Sequence, residues 1–146
     1  MYRIASAITA LVFAGTAALA QGTPSAPGTE VYFVALEDGA TVSSPVTVHF
    51  GLSGMGVAPA GVVQDGTGHH HLFVNREPFG ETQFGAEELE LAIPNDDNHR
   101  HFGGGQTEVT LDLPAGQHTL QLVLGDAGHV PHDPPVVSDV ITITVE

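Results

Sequence analysis

Short segments in which apolar and polar residues alternate recur from residue 31 to the end of the chain. The clearest are residues 46–51, 106–113 and 117–124, where every second side chain is apolar. A period of two puts successive side chains on opposite faces of a β-strand, and no window shows a sustained helical period. Turn-forming residues, such as those at 37–40 and 114–116, separate the segments. The pattern predicts an all-β fold.

The number and spacing of these segments favour a sandwich of two sheets. Seven strands are predicted, at residues 31–36, 46–51, 69–75, 87–93, 106–113, 117–124 and 136–145. The segment DGATVSSPVTV also resembles the opening of bacterial immunoglobulin-like domains. We therefore predict one immunoglobulin-like β-sandwich of about seven strands, formed by residues 30–146. In that topology the connections after strands two, four and six (residues 51–68, 94–105 and 125–135) emerge at the same end.

The N-terminal residues have the pattern of a secretory signal peptide, predicted at residues 1–20. Arg3 supplies a positive start, an apolar run follows, and Ala18-Leu19-Ala20 is a cleavage signal. Residues 21–29, QGTPSAPGT, are predicted to be a linker without packing residues. The mature chain should therefore begin at Gln21 and be periplasmic or secreted. No later segment is long and apolar enough to span a bilayer, so no membrane insertion is predicted.

Charge and sulfur content limit the classes of function. The chain has 17 acidic against 3 basic residues, a net charge of −14 with neutral histidines. Such a charge repels nucleic acid, so no nucleic-acid partner is predicted, and it attracts cations. The chain contains no Cys, which excludes thiolate metal sites and cysteine nucleophiles. With only Met55 left after removal of Met1, a methionine-rich Cu(I) site is not expected.

Three consecutive histidines lie at the start of the predicted third strand. The strand period puts His69 and His71 on one face, close enough to share a metal ion. His70 falls on the other face with Leu72 and Val74, so we predict that it is a hydrogen-bonded core residue.

Further histidines follow in the two later connections that should emerge at the same end. One connection contains HRH at residues 99–101, and the other contains DAGHVPHDPP at residues 126–135. We predict a metal site there. The first-choice ligands are His69, His71, His101 and His129, with His99, His132 and Asp126 as further candidates. His118, at the opposite end of the sandwich, and His49, facing outward from a strand, are not expected to be ligands.

Nitrogen and oxygen donors of this kind suit Cu(II) or Zn(II). Copper is favoured, because Cu(II) binds such donors most tightly and an oxidising compartment maintains it. The predicted function is handling or sequestration of a divalent transition metal. With unperturbed imidazoles, binding should fail below about pH 6.

Two other functions fit the sequence. The histidines could be ordinary surface residues of a non-catalytic interaction module that contacts a protein of the cell envelope. Alternatively, the protein could be a metalloenzyme, and the segments around His69 and His118 approach the two cupin motifs, although their spacings differ. No nucleophile has a recognisable base partner, so no catalytic residue is assigned.

Five segments together resemble a bacterial family of exported domains of unknown function, DUF4399. They are GMGVAPAG (54–61), TGHHHL (67–72), HFGGGQTE (101–108), LPAGQHTLQL (113–122) and GDAGHVPHDPPVVSD (125–139). The resemblance extends from about Val31 to the C-terminus. It implies export and a small β domain, and it implies no particular activity.

Overall fold

A computed structural model describes residues 22–146 of the protein; the predicted signal peptide lies outside the described residues. The described chain consists mainly of strands with one short helix. In chain order the elements are β1 (Glu30–Val34), β2 (Thr41–Val42), β3 (Val46–Ser53), β4 (Gly56–Val57), β5 (Thr67–Val74), α1 (Gly85–Glu88), β6 (His99–His101), β7 (Glu108–Leu111), β8 (Gly116–Gly125) and β9 (Ile141–Val145).

The strands form two sheets. The smaller has the order β1-β3-β7, with both pairs antiparallel. The larger has the order β2-β9-β8-β5-β4, and β6 adds to it by pairing with β5. Two short strands thus share one edge of β5: β4 pairs with Thr67 and Gly68, and β6 pairs with the stretch from His71 to Phe73.

The hydrophobic core lies between the two sheets. Val48 and Phe50 of β3 meet Leu72 of β5 and the apolar side chains of β8 and β9. The leucines at 120, 122 and 124 all face this core, as their period of two predicts. The structure confirms the predicted all-β sandwich, while its classification as immunoglobulin-like stays a prediction.

The outer face of the larger sheet is covered as well. Phe73 of β5 and Val123 of β8 form a second small cluster with Ile93, and Phe79 and Val137 pack against it. Every residue of β5 after Thr67 is consequently buried. Loops must therefore cover this face, and they come from the segments between β5 and β6 and between β8 and β9.

Two predictions about the segment between β5 and β7 are wrong. Residues 87–93 do not form a strand, because their backbone makes local bonds in and after α1, including Leu91 N–H to the Glu87 carbonyl at 3.0 Å. Residues 94–105 are not entirely loop, because β6 pairs with the edge of β5 that β4 leaves open. Main-chain pairing at a free edge needs no apolar alternation, so the polar sequence HRH gave no strand signal.

The segment predicted as a linker contacts the loop after β8. The amide of Ser25 donates to the carbonyl of Asp133 at 3.2 Å, and the amide of Asp133 donates to the carbonyl of Thr23 at 3.0 Å. Residues 23–25 thus lie along the loop rather than apart from the domain. No helix in the described part of the chain has the length and apolarity that crossing a bilayer requires.

Replacement of Leu122 by Ala should destabilise the fold strongly, because this side chain is 0% exposed in the core. Loss of buried methyl groups together with the resulting cavity should lower the free energy of unfolding by about 3 kcal/mol. Leu91→Ala is the matched control, since Leu91 is 57% exposed, and its effect should stay within about 0.5 kcal/mol. Urea unfolding of both variants measures the difference, and equal losses would contradict the assignment of the core.

Candidate metal centre

Two histidines project from the outer face of β5 into the space beneath the covering loops. His69 and His71 are both 0% exposed. Opposite His71, β6 supplies His101 as its direct partner across the ladder. Opposite His69, β8 supplies Gly125. A Cβ at position 125 would lie 2.8 Å from Nε2 of His71, so only glycine leaves room for this ring.

The fourth histidine, His129, is held by a tight loop after β8. The Asp126 carboxylate accepts hydrogen bonds from the amides of Gly128 at 2.8 Å and Val130 at 3.0 Å. The His129 amide donates to the Asp126 carbonyl at 2.9 Å, and its own carbonyl accepts from the amide of Ile93 at 2.9 Å. These bonds hold His129 at a φ of +68°, a left-handed conformation that few non-glycine residues adopt.

The four imidazoles converge. Nε2 of His69 lies 3.1 Å from Nε2 of His71 and 3.1 Å from Nδ1 of His129. The six ring-centroid separations fall between 4.6 and 6.0 Å. One nitrogen from each of His69, His71, His101 and His129 lies within 4.8 Å of the other three, so the group could hold a metal ion.

Hydrogen bonds between the rings leave several of the imidazole nitrogens in this cluster without a proper partner among the described residues. A neutral imidazole carries one N–H and one lone pair, yet Nε2 of His69 faces two other ring nitrogens at hydrogen-bonding distance. Nδ1 of His69, Nδ1 of His71 and Nε2 of His101 are buried without a partner among residues 22–146. A cation at the point of convergence would accept several lone pairs at once, which one shared proton cannot do.

Burial favours the neutral form of His69, His71 and His101. It lowers the pKa of His71 to about 2, with a further contribution from the neighbouring imidazoles, chiefly His69. It also lowers the pKa of His69 to about 4, helped by His101 and His129 and opposed by Asp126. The pKa of His101 is lowered too, first by burial and then by His129. Neutral imidazole is the form that binds metal ions.

The three further candidates have other contacts. His99 lies between Arg76, 2.8 Å from its Nε2, and Asp96, 2.7 Å from its Nδ1. Nδ1 of the buried His132 lies 2.9 Å from the hydroxyl of Thr23. Asp126 is occupied with the loop amides. None of the three belongs to the group of converging nitrogens within residues 22–146.

The remaining histidines lie elsewhere. His70 is a core residue, as predicted, but the prediction that it is hydrogen-bonded is wrong. Its ring packs on Phe50, and both of its nitrogens lack partners in the described part of the chain. Burial lowers the pKa of His70 to about 4, and the nearby Gln106 backbone opposes this shift without reaching the geometry of a hydrogen bond. His118 contacts Asn75 and the Pro114 carbonyl, and His49 contacts Glu108 at the surface.

Several features of the centre have no signal in the sequence. The ladder position that puts His101 opposite His71 depends on the polar strand β6, and the bond from Ile93 to His129 joins two loops. The role of Gly125 in leaving room for the His71 ring also could not be predicted, because a glycine at the end of a strand equally indicates a turn.

The stability of the metal-free protein should fall as the pH decreases below 6.5. His69 and His71 have lowered pKa values in the folded protein, whereas unfolded imidazoles titrate near 6.5. The unfolded chain therefore binds more protons between pH 6.5 and about 4. Each extra proton should lower the free energy of unfolding by about 1.4 kcal/mol per pH unit.

Urea unfolding with a chelator present, at pH 7, 6 and 5, measures the slope. The double variant His69→Gln, His71→Gln should give a shallower slope, and an unchanged slope would contradict the assignment.

Comparison with known proteins places the chain in a family. The family model described as a domain of unknown function, DUF4399, matches residues 48–146, a range that contains all four converging histidines. No curated protein and no solved structure matches the chain. Since the matched residues make up more than half of the sequence, the protein belongs to the DUF4399 family, as the sequence motifs indicated.

Proposed function

We propose that this domain binds one divalent transition-metal ion through His69, His71, His101 and His129, and that it handles or sequesters the metal outside the cytoplasm. The observation that carries the proposal is the convergence of four imidazole nitrogens from three separate parts of the chain. Its location in the periplasm, or beyond the cell, rests on the signal-peptide pattern of residues 1–20.

The spacing of the nitrogens supports a shared ion. Two nitrogens bound tetrahedrally at about 2.0–2.1 Å from a zinc ion lie about 3.3 Å apart. Two separations in the cluster, both from Nε2 of His69, are 3.1 Å. These two pairs are therefore already close to coordination distance, and within a group whose atoms all lie within 4.8 Å of one another the more widely separated rings would have to move inward around the ion.

Charge and access also support metal binding. The net charge of −14 attracts cations to the surface. His101 and His129 are partly exposed, whereas His69 and His71 are buried. An ion from solvent would therefore contact His101 and His129 before it contacts the buried pair.

Cu(II) is the favoured ion, with Zn(II) second. The donor set consists of imidazole nitrogens, which suit both ions, and Cu(II) binds a given set of nitrogen donors more tightly than Zn(II). The absence of Cys removes the thiolates that would favour softer ions.

Binding rather than catalysis is the proposed role. Four histidines would fill the coordination sphere of a four-coordinate ion, as in structural sites, whereas catalytic sites keep a position open for water or substrate. The alternative of an interaction module without metal leaves the convergence of the buried nitrogens unexplained.

Loss of one clustered imidazole should weaken metal binding sharply. Removal of residues that only orient metal ligands lowers affinity by about 10–100-fold, so His101→Ala should lower it at least as much. His49→Ala is the matched control, because His49 is exposed and contacts only Glu108 among the residues for which bonds are described. Competition titration of untagged protein with Cu(II) and Zn(II) measures both variants. Equal affinity of the His101 variant and the parent would contradict the proposal.

Metal binding should persist to lower pH than the sequence suggested. The limit of about pH 6 assumes unperturbed imidazoles, whereas the pKa of His69 is about 4 and that of His71 is lower still. Protons should therefore compete with the metal at His69 only near pH 4, and at His71 only at still lower pH. We expect metal to stay bound at pH 5.5 in equilibrium dialysis followed by metal analysis. Release with a midpoint at or above pH 6.5 would contradict a site built on the buried pair.

A further inference from the structure

A cleft of about 570 Å³ lies beside the histidine cluster on the same covered face of the larger sheet. Phe73 of β5 forms part of its wall, and the remainder comes from the segment between β5 and β6 and from His99, the first residue of β6. The volume is in the range of small-molecule sites. We propose that this cleft is a separate binding site for a small amphipathic cation, with an apolar body and an ammonium head.

The side chains that line the cleft could pack against the apolar body of such a ligand. Phe73, Phe79, Phe84, Leu91 and Ile93 contribute most of the apolar side chains. Phe84 is 58% exposed and Leu91 is 57% exposed. Large side chains that stay in water beside a concave wall are typical of ligand-binding grooves.

The basic side chain in the cleft is already neutralised. The Arg76 guanidinium lies 4.5 Å from the centroid of the Phe73 ring and donates to the Glu88 carboxylate at 2.6 Å. It also donates to Nε2 of His99 at 2.8 Å, because arginine can only donate. Nδ1–H of His99 then donates to Asp96, and this hydrogen bond is the main reason that the pKa of Asp96 is lowered. Arg76 therefore does not offer a free positive charge to an anionic ligand.

Two carboxylates in the cleft remain for a ligand. Glu77 and Glu87 both line it, and neither forms an ion pair with a basic side chain within residues 22–146. With Arg76 balanced by Glu88, the lining has a net negative charge, and the protein as a whole is strongly acidic. Anions are repelled. A cation would gain from the carboxylates and from the aromatic rings of the lining, Phe79 and Phe84 among them.

A comparison of three probes with the same aromatic body tests the charge preference. Benzyltrimethylammonium, benzyl alcohol and phenylmethanesulfonate are titrated into the full protein at low salt with a chelator present, and amide shifts are followed by NMR. The cation should bind about tenfold more tightly than the alcohol, a difference of about 1.4 kcal/mol. It should shift amides of residues 73–99, and the sulfonate should not bind. Binding of the sulfonate as tightly as the cation, or shifts confined to other residues, would overturn the proposal.

Substitutions of the carboxylates and of an aromatic side chain distinguish recognition of the ammonium head from recognition of the apolar body. The double variant Glu77→Gln, Glu87→Gln should lower affinity for the cation about tenfold and leave affinity for benzyl alcohol unchanged. Phe84→Ala should lower affinity for both probes. The matched control Glu81→Gln, Glu90→Gln makes the same change in net charge at exposed residues outside the cleft. An equal loss of cation affinity in this control would show a general charge effect and overturn the proposal. Because the chelator removes metal ions, the result is independent of metal binding at the histidines.

Discussion

The register between β5 and β8 is the constraint on which the metal centre depends. It pairs His69 with Gly125, His71 with Val123 and Leu72 with Leu122. A slip of one residue would turn every side chain of β5 to the opposite face of the sheet. His69 and His71 would then enter the core between the sheets, and Leu72 would take their place under the loops. The same burial of leucines that stabilises the sandwich therefore fixes the direction in which the two imidazoles point.

The covering loops give this outer face its chemistry. An open antiparallel sheet commonly leaves one face in water, and imidazoles there would keep ordinary pKa values. Here the segments before β6 and after β8 cover the face, and the bond from the Ile93 amide to the His129 carbonyl joins them. Their cover desolvates His69 and His71, which lowers both pKa values. The same cover creates the apolar cleft, since Ile93 lines the cleft and also holds the loop of the fourth histidine.

Sequence periodicity could predict the parts of the structure in which a side-chain pattern decides the conformation. The period of two separated His70 from its neighbours, and it identified the leucines of β8 as core. It could not identify β6, whose pairing with β5 depends on main-chain groups at a free edge. It assigned residues 87–93 wrongly, because Leu89 and Leu91 alternate with polar residues but are exposed. The cleft could not be predicted from the sequence either, because most of its lining comes from irregular backbone, which has no side-chain period.

The four histidines are positioned by different elements, and this difference determines which of them would move when an ion binds. Metal-binding histidines usually donate their second N–H to a carboxylate or carbonyl, which orients the ring. Nδ1 of His69 and Nδ1 of His71 have no such partner within residues 22–146, so these rings are oriented by packing and by the contacts of their Nε2 atoms within the cluster. His129 instead depends on the backbone turn around Asp126. Strands thus fix three of the imidazoles, and the fourth is fixed by a loop that lies partly in solvent. Adjustment to the preferred geometry of an ion would fall mainly on that loop, because movement of the strands would disturb the core.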